Sequence, residues 1–504
     1  MFLYIFAIFV IFLSHFLWKN RYLFNTDFNK DFDEGASIPL MKNGIPFTMM
    51  SPEQIFLEPR KFAKKFKRSV RARLFHIDSF CIIRARDAEK ILGSSSKHLT
   101  KGFVYNFLHP FIKTGLLTSD GDKWHQRRRM LTPAFHFNIL KEFAEIFREE
   151  ADQLVVDLKK TGGKVVDMIP ISTQFTLNTV CESAMGIKLS NLGNNGVVYR
   201  NNIYSIGKAM IKRSMRPWLH IDFIYSLLGY KKQFDEILGP VHHFTQTIID
   251  KRRKEFITKN SGTKNDEPKD ESDNIYMGGK KKRAAMMDTL LQAQSQGLID
   301  DEGIIEETDT FTFEGHDTTS SGMTFTLLLL AHHPEVQEKI FQEIQDVTGG
   351  RDELTTDDLN KMNYMERALK ESLRIYPPVP YIARKLTEDM LHDGHLFKKG
   401  TTMEIFIYDI HRDPEVFPDP EKFDPDRFLP ENSEGRSNFA FIAFSAGMRN
   451  CIGQRFAMLE LKVMLTKVIQ NFKILPVTKR EDLVFMADLV LRTNHPVKMR
   501  FEPR

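Results

Sequence analysis

The sequence predicts a mainly α-helical body with small β-sheets (an α+β fold), preceded by an N-terminal transmembrane helix. Three observations carry this reading. Residues 1–18 are almost unbroken apolar sequence. Residues 300–333 read as one helix, which at about 1.5 Å per residue is about 50 Å long, enough to cross a whole domain. Strand candidates are few: residues 74–84, with β-branched Ile77, Ile82 and Ile83, and residues 402–408.

The N-terminal run is interrupted only by Ser14 and His15, and Lys19 and Arg21 follow it. About 17 residues is the short end of what spans a bilayer. A cleaved signal peptide carries its charge before the apolar run and small residues after it. Here the charge comes after, and Trp18, Lys19 and Asn20 stand where small residues would be. An uncleaved anchor is expected, with the rest of the chain facing the cytosol. Residues 19–50, polar and then marked by Pro39 and Pro46, read as a hinge, and residues 51–504 as one catalytic body. Residues 259–283, rich in Lys, Asp, Asn and Gly, read as a solvated surface loop. Asp300 can cap the long helix, acidic Asp301, Glu302, Glu306 and Glu307 suit its first turns, and Pro334 marks its end. Polar residues in the middle of such a helix need a reason.

Composition narrows the function. A net charge of +5 over 504 residues gives no concentrated basic face for nucleic acid. Three cysteines, Cys81, Cys181 and Cys451, exclude a disulfide scaffold and suit a reducing compartment. The 42 Phe residues suit an aromatic core and equally a site for apolar substrates.

Cys451 stands in the string F-x-x-G-x-R-x-C-x-G, formed by Phe444, Gly447, Arg449, Cys451 and Gly453, and a helix follows. Gly447 permits a tight turn that aims backbone N–H groups at the sulfur. The following helix brings its positive end to the sulfur and favours the thiolate. Gly453 removes a side chain where a flat macrocycle would press on the backbone, and Arg449 suits a carboxylate of a bound cofactor. This string resembles the haem-binding loop of the cytochrome P-450 superfamily. The resemblance implies haem b with Cys451 as its axial iron ligand, and a P-450 fold.

Other strings extend the resemblance from about residue 74 to the C-terminus. Glu371 and Arg374, three residues apart on one helix face, with Arg427 in the later F-D-P-D-R-F string, resemble the buried charge triad beside the cysteine loop, a structural feature. Trp124 and Arg128 resemble the W-x-x-x-R helix that reaches the haem propionates, and Arg384 resembles another propionate partner. In the long helix, Gly315 is costly by about 1 kcal/mol and suggests a close approach to the backbone. Asp317 and Thr318 resemble the acid–alcohol pair that delivers protons during dioxygen reduction, with Asp317 relaying them from solvent. Glu314, four residues before Thr318, shares its face. The string D-T-F-x-F-E-G-H-D-T-T is similar to that of the fourth cytochrome P-450 family, many of whose members tether the haem through this Glu and hydroxylate fatty acids at the ω carbon; Thr312 departs from the usual Met. The hinge departs too: its proline-rich run is reduced to Ile38-Pro39 and Ile45-Pro46.

The resemblance implies insertion of one atom of O2 into a C–H bond of a lipophilic substrate. A strand–helix G-x-G-x-x-G unit and a P-loop are both absent from the sequence, so the chain should take electrons from NADPH through a separate flavoprotein, NADPH–cytochrome P-450 reductase, with cytochrome b5 as a further partner. The endoplasmic reticulum membrane is the expected location. Arg127, Arg129 and Arg455 would form a docking face. The pocket should be lined by residues 103–112, 218–230, 379–382 and 489–491 and by Phe313. A foreign lipophile or an isoprenoid hormone is an alternative substrate. A haem-thiolate isomerase or dehydratase, or a haem sensor or carrier, is an alternative function, which the intact Asp317 and Thr318 disfavour.

Overall fold

A computed structural model describes residues 37–38, 48–66, 68–74, 77–93, 97–261 and 285–504. The anchor expected over residues 1–18 lies outside them, as do nearly all of the hinge and residues 262–283 of the expected loop. Residues 259–261 instead end the helix Tyr230–Ser261. Among the described residues no helix is long and apolar enough to cross a membrane.

The long helix runs over Asp301–His332. The Asp300 carboxylate caps it by accepting the Gly303 N–H at 2.8 Å, and Pro334 opens the next helix, Pro334–Thr348. It is flanked by Met168–Ser183, Tyr230–Ser261 and Gln454–Asn471. The Thr176 hydroxyl donates to the His316 carbonyl at 2.9 Å, which fixes its register against Met168–Ser183. From Glu306 to Ala331 every residue is buried except Glu314, Gly315 and Thr318. Those three lie at i, i+1 and i+4, on one face.

The sheets are small. The largest orders its strands Ser37–Ile38, Val70–Leu74, Ile77–Ile82, Thr402–Ile405 and Ile382–Lys385. The strand expected over residues 74–84 is thus two antiparallel strands, Val70–Leu74 and Ile77–Ile82. The second candidate ends early: Thr402–Ile405 is strand, and Ile407–Ile410 turns into helix. A three-stranded sheet joins Val166–Asp167, Lys498–Pro503 and Phe472–Pro476, tying the C-terminus to the body.

Much of the phenylalanine serves the core. Phe456 meets Phe135, Phe143 and Phe147 edge to face, with the Phe147 ring 4.9 Å away. A second apolar cluster surrounds Phe111, Trp124, Phe311 and Phe313. A third packs Ile82, Met403 and Ile405 of the large sheet against Ile407 and Phe417.

Glu371, Arg374 and Arg427 come together as the sequence predicts. Both oxygens of Glu371 meet Arg374, at 2.6 and 2.8 Å, and Arg427 lies 3.3 Å from Glu371. Arg374 also donates to the His411 carbonyl, and Glu371 accepts the Asp424 N–H, so the cluster pins the segment leading to the cysteine loop.

Removing the Glu371 charge leaves Arg374 buried without its partner. Glu371→Gln is expected to lower unfolding stability by about 3–5 kcal/mol, read by denaturant titration; an unchanged midpoint would show that the guanidinium finds another partner. Glu460, fully buried on Gln454–Asn471, accepts the Thr179 hydroxyl, and burial pushes its carboxyl up to about 8. Between its ordinary value near 4.5 and about 8, the folded chain holds a proton that the unfolded chain has released. Stability therefore falls as pH rises through this window. Glu460→Gln is expected to flatten that slope, and equal slopes in the two proteins would refute the assignment.

Candidate active site

The cysteine loop is built on its glycines. Gly447 has φ +70°, and a Cβ there would meet the Leu92 carbonyl oxygen at 1.8 Å. Only glycine lets the loop turn against the end of the helix Ala85–Leu92. The Cys451 N–H donates to the Phe444 carbonyl at 2.9 Å, closing the loop. Gly453 is the N-cap of Gln454–Asn471, where a Cβ would stand 3.9 Å from the sulfur. Cys451 is enclosed by protein, and its open surface faces a cavity of about 520 Å³. Burial, then the facing Glu314 carboxylate, push its thiol up to about 12, against the pull of the Gly453 N–H and Arg128. The Gly453 N–H and Arg128 favour the thiolate as expected, and burial opposes them.

The long helix presents Glu314, Gly315 and Thr318 to the same cavity. Burial raises the Glu314 carboxyl to about 7, opposed by Lys101, Arg128 and Arg449. The Thr318 hydroxyl donates to the Glu314 carbonyl at 2.7 Å. Gly315 also meets a neighbour helix: a Cβ there would stand 2.8 Å from Val180 Cγ2, a close approach of the kind the sequence suggests. Asp317 points away from solvent. It is fully buried, and both its oxygens accept from Arg492, at 2.6 and 2.7 Å. Any proton that Asp317 relays must therefore pass beside Arg492 or through its buried surroundings. Arg492 also lies 3.0 Å from Asp488 and stacks on Tyr204.

Cations gather at one end of the cavity. Arg449 donates to the Ser119 carbonyl at 2.7 Å and lies over the Trp124 ring at 4.6 Å. Arg128 donates to the carbonyl and side chain of Asn450, at 2.9 and 2.7 Å, bracing the cysteine loop. Arg384 is fully buried, and Lys101 is held well below its usual range by burial and by Arg384 and Arg449. Lys101, Arg128, Arg384 and Arg449 thus face Glu314 and Asp120, and Nε and Nη1 of Arg449 have no partner in the protein. A flat cofactor with two carboxylates fits this end: its charge would satisfy the surplus cations, and a cysteine faces the same space.

Much of the remaining lining is apolar, with Phe103, Phe107, Leu108, Phe313, Val379 and Leu489 among it. Residues 218–230 do not line it; Met210, Ile211, Ser214 and Met215 do, and Trp218, Ile221, Phe223, Leu227 and Leu228 are exposed instead. Arg127 is buried against Glu306 and Glu307, so it is no docking residue, while Arg129 and Arg455 are exposed. Sequence reading missed Lys101, Asp488 and Arg492. Arg492 lies 175 residues from Asp317, and no local pattern links them.

Gly447→Ala is expected to abolish haem loading through Cys451, seen as loss of the red-shifted Soret band of the reduced, carbon-monoxide-bound form. Exposed Met448→Ala should retain the band. A normal band in Gly447→Ala would show that the loop tolerates the Cβ.

A cytochrome P450 family model matches residues 34–501. "Probable cytochrome P450 4ac2" of Drosophila melanogaster is 43% identical over 464 residues, 92% of this chain and 88% of that protein. "Cytochrome P450 4p1" of the same species is 39% identical, covering 89% of this chain and 86% of that protein. "Cytochrome P450 4V2" of Mus musculus is 39% identical, covering 84% and 80%. Matches of this extent carry the P450 fold, the implied haem and the mono-oxygenase class, and the chain belongs to the fourth family of the cytochrome P450 superfamily.

Proposed function

We propose that this mono-oxygenase hydroxylates a long-chain fatty acid or related lipid at its ω carbon. The observation that carries the reading is Glu314: an acid on the cavity face of the long helix, in the same cavity as Cys451 and one turn from Thr318, where much of the wall is apolar. Cys451 would hold the haem iron, and Arg128, Arg384, Arg449 and Trp124 the propionate end. Glu314 would tether the haem through an ester, its carboxylate replacing a hydrogen of a haem methyl group that turnover with O2 and NADPH oxidises. When bound, the haem supplies activation of O2 for insertion into a C–H bond.

The protein's own residues do the rest. Phe103, Phe107, Leu108, Phe313, Val379 and Leu489 bind the chain, exclude water and present its end. Thr318 offers its hydroxyl at the cavity wall, and Asp317, fixed by Arg492, stands behind it as the acid. Electrons come from NADPH through NADPH–cytochrome P-450 reductase, with cytochrome b5 as a second donor. Exposed Arg129 and Arg455, beside the propionate helix and the cysteine loop, receive an acidic partner. Residues 1–18 anchor the chain in the endoplasmic reticulum membrane with its body in the cytosol. The exposed apolar side chains Trp218, Ile221, Phe223, Leu227 and Leu228 support contact with that membrane.

Product analysis with reductase, NADPH and fatty acids of graded length tests the substrate. Terminal hydroxylation is expected, and oxidation only at internal carbons would defeat the reading. Acid extraction tests the tether separately: Glu314→Ala should release unmodified haem, whereas full release from the natural protein would disprove the ester.

A further inference from the structure

A line of polar side chains runs along the side of the long helix that faces away from the cavity. Asp309, Thr312 and His316 stand at i, i+3 and i+7, one above another. The helices Asn195–Ser214 and Tyr230–Ser261 border this stretch, and Asn195–Ser214 supplies Tyr199. All four residues are fully buried. Yet Asp309 Oδ2, Thr312 Oγ1, both ring nitrogens of His316 and the Tyr199 hydroxyl have no hydrogen-bond partner within the protein. A buried polar atom left unpaired costs about 1–3 kcal/mol, so several in one region call for ordered water. The dry alternative would forfeit that energy at every atom.

The line has an outer and an inner end. His242 is one-third exposed (33%), with Nε2 2.8 Å from the Phe111 carbonyl and 3.6 Å from Asp309 Oδ2. Asp309 also accepts the Thr245 hydroxyl at 2.6 Å. At the inner end the Tyr199 and His316 rings meet edge to face at 6.0 Å, and Asp317 follows His316 in the chain. Asp317 is fully buried in the grip of Arg492.

We propose that Asp309, Thr312, Tyr199 and His316 hold a file of ordered water that carries protons from His242 at the surface towards Asp317. The protonation states suit a relay. Burial raises the Asp309 carboxyl to about 6, with His242, Thr245 and Lys113 opposing. Burial, Arg492 and Arg200 lower His316 to about 3, so its neutral ring accepts at one nitrogen and donates at the other. Burial, Asp309, Cys181 and Asp317 hold the Tyr199 phenol neutral. Each hop breaks one O–H or N–H bond and forms the next, and solvent reprotonates His242. No electrons travel this way; they reach the haem from the redox partner. The inference rests on the mono-oxygenase assignment, since reducing one oxygen atom of O2 to water consumes protons.

Two measurements on the haem-loaded protein test it. A high-resolution crystal structure should show water at about 3 Å from a His316 ring nitrogen and from the Tyr199 hydroxyl; a dry, apolar contact there overturns the proposal. With reductase and NADPH, His242→Gln and Tyr199→Phe should each release several-fold more peroxide per NADPH and enlarge the solvent isotope effect. Their reduced carbon-monoxide spectra should stay at the thiolate position, which a folding defect would not allow. His242 is outside the buried file, so its variant remains informative should Tyr199→Phe fold poorly. Water in place with unchanged coupling in His242→Gln overturns the conduit. So does uncoupling found only in Asp488→Asn, which would place proton uptake on the Arg492 side. Absence of NADPH-dependent O2 uptake in the natural protein would strike the mono-oxygenase assignment, while the crystallographic water would still report on the file.

Discussion

A helix buried along nearly its whole length can carry polar side chains only where something receives them, and this constraint organises the molecule. Many polar residues of Asp301–His332 are received by a partner in the protein, while Thr312 and the His316 ring are not. Thr308, Ser320 and Thr324 return their hydroxyls to helix carbonyls. Glu307 accepts the Leu116 N–H, Asp309 the Thr245 hydroxyl, and Asp317 both bonds from Arg492. Ser321 reaches the Leu491 carbonyl. Glu314 and Thr318 face the cavity instead. The helix is thus both a structural axis and the wall that sets where chemistry can occur.

The cavity it borders is electrically lopsided. Most of its wall is apolar, and cations crowd one end. In so poorly solvated a space, charge is tolerated only when balanced. The Glu314 carboxyl and the Cys451 thiol are both pushed towards their neutral forms, and Lys101 likewise. Burial is the largest cause of each shift, and a cofactor bringing a metal cation to the sulfur and carboxylates to the arginines would relieve them. The same end is braced directly by Arg128 on Asn450 and Arg449 on Ser119.

How much of this was legible in the sequence follows from distance along the chain. The long helix, its Asp300 cap, the cysteine loop and the Glu371 cluster are written in short strings, and they stand where those strings imply. Local patterns also misled where a neighbour decided the outcome. Arg127, basic on paper, is consumed by Glu306 and Glu307. The expected pocket segment at residues 218–230 turned outward because the preceding helix end, Met210 to Met215, fills that wall. Lys101, Asp488 and Arg492 had no signal, since a lone charged residue owes its meaning entirely to what tertiary folding brings beside it.

Arg492 carries the most consequence among those omissions. It joins Asp317 of the long helix to Asp488 of the C-terminal loop, with Tyr204 beneath it. A Cβ at Gly207 would stand 1.9 Å from Asp488 Oδ1, so the helix Asn195–Ser214 is packed tightly against the same clamp. The loop that carries Asp488 also supplies Leu489 and Val490 to the cavity wall, and the Leu491 N–H bonds the Pro378 carbonyl. The acid behind Thr318 and part of the substrate wall therefore belong to one mechanical unit. Coupling through such a unit is carried by packed, hydrogen-bonded contacts. A change at Arg492 moves substrate fit together with proton supply, and only measurements that separate the two can assign its effect to either.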